Sequence, residues 1–99
     1  MVEKAILPPH MFACLDDKGE NYEVEIELPG VQKKDIELSM HDDLIHIHAE
    51  RKDLAFYGHL HFPLKANHKK AKAKFSSGLL KLMVPLKERR TPPLKIKVE

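Results

Sequence analysis

A chain of 99 residues, 42% of them hydrophobic and 32% charged, reads as one domain with one core. No run approaches the ~20 apolar residues of a membrane-spanning helix. The lone Cys14 excludes an intrachain disulfide or a cysteine-built zinc ribbon.

The net charge of +2 hides an asymmetry. Residues 1–50 carry four Lys against twelve acids, a balance of −8, and residues 51–99 carry thirteen Lys or Arg against three, a balance of +10. Such a split suits a nucleic-acid surface, or acidic early strands lying beside basic late ones. No DNA- or RNA-binding motif accompanies the lysines, which favours the second reading. The start, MVEKAILPPH, has no apolar stretch of signal-peptide type, and with a single cysteine it points to a reducing, cytoplasmic location.

In chain order, residues 1–10 read as a short extended arm, because Pro8-Pro9 disfavours helix. Met11 to Leu15 is a short apolar strand in which Cys14 is expected to be a small core residue. Asp16-Asp17-Lys18-Gly19 is a turn. From Asn21 to Leu28, the apolar Tyr22, Val24, Ile26 and Leu28 alternate with Glu23, Glu25 and Glu27. This gives one core face and one acidic face.

Leu28-Pro29-Gly30-Val31 turns the chain into Ile36, Leu38 and Met40. His41-Asp42-Asp43 turns it again, into Leu44 to Ala49. A four-residue loop, Lys52 to Ala55, leads to Phe56, Gly58, Leu60 and Phe62, which alternate with Tyr57, His59 and His61. Ala71 to Leu86 forms a hairpin about Ser76-Ser77-Gly78. One arm places Ala73 and Phe75 on one face, the other Leu80, Leu82 and Val84, and Gly78 supplies a positive φ. Pro85 ends that hairpin at a rim.

After the proline-ended linker 87–93, Leu94, Ile96 and Val98 alternate once more. Eight short strands without an amphipathic helix predict an all-β, antiparallel immunoglobulin-like sandwich over residues 11–86. An arm (1–10) and a C-terminal extension (87–99) flank it.

Four ordered stretches carry a family resemblance: Glu27 to Val31, Asp43 to Arg51, Phe56 to Pro63, and Ala73 to Leu80. They resemble the d-L-P-G-v turn, the n-x-L-x-I-x-a-e-r strand, the F-x-R-x-F-x-L-P strand and the A-x-x-x-n-G-v-L hairpin of small heat-shock proteins, the α-crystallin domain family. The signature positions are Leu28, Pro29, Gly30, Ala73, Phe75, Gly78 and Leu80. The resemblance implies an ATP-independent chaperone that holds partly unfolded clients, self-associates into at least a dimer and needs no cofactor. A CS-type co-chaperone domain binding a folded partner is the alternative, weakened by the absence of Trp.

Three departures from the family pattern bear on assembly. The loop before Phe56 is too short for the strand-swapping loop of many members. Gly58 stands where the family usually has an arginine at its dimer contact. The arm before Met11 is shorter than the family's client-binding N-terminal region.

Leu94-x-Ile96-x-Val98 resembles the family's I-x-I/V tail. The resemblance implies that this segment docks on the sheet edge of a neighbouring domain, within the ~23 Å reach of a seven-residue linker. The other reading makes it the last strand of its own sandwich.

No residue set reads as catalytic; the pairs Asp16-Asp17 and Asp42-Asp43 stand at turns. Of seven histidines, four form two His-x-His pairs, His46/His48 and His59/His61, on consecutive outward faces. With a four-residue loop, His46 is expected opposite His61 and His48 opposite His59. Together they offer either a zinc or copper site or an exposed polar face.

Overall fold

The computed structural model describes residues 4–41, 43–87 and 94–99. Glu3, Asp42 and linker residues 88–93, with Pro92-Pro93, lie outside them. Two four-stranded sheets face each other. One has the order β1-β6-β5-β4, from Ala5–Leu7, Leu54–His61, Leu44–Glu50 and Ile36–His41. The other has the order β2-β3-β8-β7, from His10–Leu15, Asn21–Glu27, Leu79–Pro85 and Lys72–Ser76. Only two single-turn 3-10 segments, Lys33–Asp35 and His68–Lys70, interrupt the β structure among the described residues.

Alternation builds the core. Tyr22, Val24 and Ile26 from β3, Ile45, Ile47 and Ala49 from β5, and Leu80, Leu82 and Val84 from β8 are all buried, while the intervening residues point outward. In β2, Met11, Ala13 and Leu15 face inward, and Phe12 and Cys14 are exposed. Cys14 is therefore an outer-face residue and not the core residue expected from the sequence. A strand of five apolar residues leaves its parity undecided, and pairing with β3 settles it: Cys14 lies opposite outward-facing Glu23.

Pairing is antiparallel except at one edge, where β1 runs parallel to β6 with Ala5 beside Leu54 and Leu7 beside Phe56. The arm thus supplies a strand. The alternative of a last strand within the same sandwich is not formed, because Leu94 to Glu99 carry no β pairing and are exposed.

The two sheets are tied at Tyr22. Its ring stacks on Phe62 at 4.2 Å between centroids, and its hydroxyl accepts the Leu64 backbone N–H at 2.9 Å.

Acidic β3 lies between β2 and β8, with Glu25 directly opposite Lys81. This is one cross-strand pair of opposite charge; on its other side Lys81 lies opposite Lys74.

Candidate functional site

Two of the signature turns meet at one corner. Leu28, Pro29, Gly30 and Val31 form a turn closed by the Val31 N–H donating to the Leu28 carbonyl, and Gly30 has φ +80°. Pro at the second position and Gly at the third are what a type II turn requires.

The Leu28 N–H donates to the Gly78 carbonyl at 2.7 Å, so this turn is bonded to the tip of the β7–β8 hairpin. Ser76 pairs with Leu79, leaving Ser77 (φ +50°) and Gly78 (φ +80°) as the two loop residues. Two successive positive φ values define a type I′ turn. Of the other signature residues, Leu80 is buried, Phe75 packs against the core and Ala73 is exposed.

Arg51 completes the corner. Its Nη1 donates to the Pro29 carbonyl at 2.7 Å, its Nε pairs with Asp53 at 2.7 Å, and its guanidinium lies 5.9 Å from the Phe56 ring centroid. The corner is a fold lock: its polar groups are engaged with one another.

Gly58 has a steric reason for lacking a side chain. A Cβ there would stand 3.0 Å from Pro9 Cδ and 3.2 Å from Met11 Cε. The arm passes so close over β6 that a side chain at position 58 would require Pro9 and Met11 to give way by a few tenths of an ångström.

Surfaces able to receive another chain lie elsewhere. β2 is an edge strand, and beside it a groove of about 500 Å³ is lined by Ala13, Leu15, Leu60, Phe62, Leu64 and their neighbours. An unpaired strand edge next to apolar walls can accept an extended segment through backbone hydrogen bonds and side-chain pockets. The apolar side chains of Ile6, Leu7, Phe12, Tyr57 and Met83 are exposed. Leu94, Ile96 and Val98 are about nine-tenths exposed, at 93%, 87% and 92%.

Sequence reasoning misses the β2 groove. Its walls come from residues some fifty positions apart in the chain, and the parity of Met11 to Leu15 that would point to it is set only by pairing with β3.

The histidine face is arranged differently from the sequence expectation. The β5–β6 connection is three residues, Arg51 to Asp53, because Leu54 and Ala55 already belong to β6. The register therefore shifts by two. His46 lies opposite His59, His48 opposite Tyr57, and His61 opposite Leu44. His48 contacts Glu37 at 3.6 Å and Glu50 at 3.4 Å, and His61 contacts Asp43 at 3.2 Å. The four imidazoles share no common point, and among the described residues no three or more His, Cys, Asp or Glu side chains are placed to hold one metal ion.

Asp16 is occupied by its turn. It accepts hydrogen bonds from the Asn21 side chain at 2.7 Å and the Glu20 N–H at 2.9 Å, and these hold its carboxyl below the usual range.

Comparison with known proteins places this fold. The sequence pattern of the Hsp20/alpha crystallin family matches residues 15–99. The chain belongs to that family. Small heat shock protein C2 of Rickettsia felis is 23% identical over 112 aligned positions, covering 96% of this chain and 71% of the relative. Among solved structures, heat shock protein 16.0 from Schizosaccharomyces pombe superposes with a TM-score of 0.78 at 23% identity, covering 94% of this chain and 99% of that one. A small heat-shock protein from Xylella fastidiosa, described as having a distinct high order structure, gives 0.70 at 21% identity, covering 94% and 97%. The family is one of chaperones, which are not enzymes. Among the described residues no helix is long and apolar enough to cross a membrane.

Proposed function

We propose that this chain is an ATP-independent holdase, a non-catalytic member of the Hsp20/alpha crystallin family that binds partly unfolded proteins and blocks their aggregation. The observation that carries this reading is the β2 edge, unpaired among the described residues, with its apolar groove. It suits extended, apolar stretches of unfolded chain and asks for no defined partner shape. No phosphate-cradling glycine motif of nucleotide-binding type occurs in the sequence, in keeping with passive holding.

Self-association belongs to the same proposal. Leu94, Ile96 and Val98 alternate, lie exposed and make no strand in their own domain, as a tail that docks on a neighbouring copy should. A cytoplasmic location completes the reading.

The test is suppression of aggregation of a heat-denatured client, run beside native mass measurement. Protection at near-stoichiometric ratio is expected. A chain that folds but protects no client overturns the holdase. Truncation after Arg90 is expected to lower the native mass while leaving the far-ultraviolet β signal intact. Loss of the fold with the same truncation would return Leu94 to Val98 to their own sandwich.

A further inference from the structure

We propose that His46 and His59 form a cross-strand chelate for a divalent transition ion, with Cu²⁺ preferred, that clamps β5 to β6. The two residues are direct partners, and their ring centroids lie 6.0 Å apart at 48°. Their place in the ladder favours close approach. The Arg51 N–H donates to the Leu54 carbonyl and the Phe62 N–H to the Asp43 carbonyl. Hydrogen-bonded pairs therefore fall on odd-numbered residues of β5, and His46–His59 is a non-hydrogen-bonded pair, the kind whose side chains stand nearer.

The neighbouring histidines help by being engaged elsewhere. His48 is held by Glu37 and Glu50, and His61 by Asp43. Among the described residues, neither His46 nor His59 has an ion pair, and their ring contact is with each other. His46 is half-buried on a central strand, with Ser39 on its other side, while His59 is exposed and free to turn.

Two imidazoles sharing an ion at ~2.1 Å from each nitrogen have centroids about 5 Å apart, so a side-chain rotation closing roughly 1 Å suffices. Water fills the remaining positions, as it must where no third protein donor converges. Imidazole pairs suit copper, nickel and zinc, and the Irving–Williams order puts Cu²⁺ first. An ion held across the pair binds only the folded ladder, so it adds to stability by mass action.

The test titrates the full chain with Cu²⁺ and with Ni²⁺ by calorimetry, together with electron paramagnetic resonance of the copper form and thermal melts. The expected result is one Cu²⁺ per chain, a two-nitrogen resonance signature and a raised Tm. Affinity should fall at least tenfold in His46→Ala and in His59→Gln, the second being an exposed, polar replacement that leaves the fold intact. His61→Ala should bind within twofold of the parent. Unchanged copper affinity in His59→Gln overturns the proposal, and so does an equal loss in His61→Ala, which would spread binding over the whole face.

Discussion

The Tyr22 hydroxyl is a small group in a demanding place. It is the acceptor for the Leu64 N–H in the segment that leaves β6, and its ring is buried against Phe62. Tyr22→Phe keeps the stacking and orphans that N–H. Because an unsatisfied donor costs more than an average hydrogen bond contributes, the expected loss is about 1–2 kcal/mol. Urea unfolding should show a lower midpoint at unchanged slope. Tyr22 is legible in the sequence as a core-facing residue of β3. Its hydrogen bond is not, because the partner is a backbone group forty-two positions away in a connection without periodicity. Cys14 shows the same limit, since Met11 to Leu15 are all apolar and only the facing strand decides which of them point inward.

At the scale of elements, the β7–β8 hairpin is the best-announced feature of the chain. Alternation on both arms and Gly78 at the tip identify it from the residues alone. The backbone adds that Ser77 also carries a positive φ, at +50°. Serine is less at ease than asparagine in that region. Ser77→Asn should therefore stabilise the fold by about 0.5 kcal/mol, seen as a higher thermal midpoint, because Asn-Gly is the favoured type I′ pair.

The β5–β6 hairpin is less legible. Lys52-Asp53 marks a turn, but Leu54 and Ala55 after it belong to the strand, and counting them as loop displaces every cross-strand pair by two. Ala55 is buried, which a loop residue need not be. Strand β1 escapes the sequence for another reason. Three residues carry no period, and a parallel partner some fifty residues away leaves no local trace.

For the whole molecule, acid is an informative perturbant. The Asp16 carboxyl is held below its ordinary value of 3.8, first by the Asn21 side chain and then by the Glu20 N–H. Asp53 is lowered in the same direction, chiefly by its hydrogen bond from Arg51. A carboxyl whose folded pKa is depressed stabilises the fold above its unfolded pKa, and that contribution is lost as pH falls through the folded value. Stability should thus be insensitive to these two groups near neutrality and decline below about pH 4. In Asp16→Ala the urea midpoint should be lower than the parent's at pH 7, and the two should converge once acid has protonated the Asp16 carboxyl in the folded chain. A gap that stays constant with pH would show that the carboxylate charge contributes nothing.

The parallel course of β1 also fixes the end of the sandwich at which the chain enters it. Ala5 lies beside Leu54, and Lys4 reaches Glu50 at 3.4 Å, so the chain enters β1 from the side of the β5–β6 turn. Lys4 thus stands at the end of the sandwich that carries the β5–β6 turn. The stretch from Leu7 to His10 is held at the other end of β1, because Pro9 is seated over Gly58. An insertion between β1 and β2 would have to lift Pro9 off that contact.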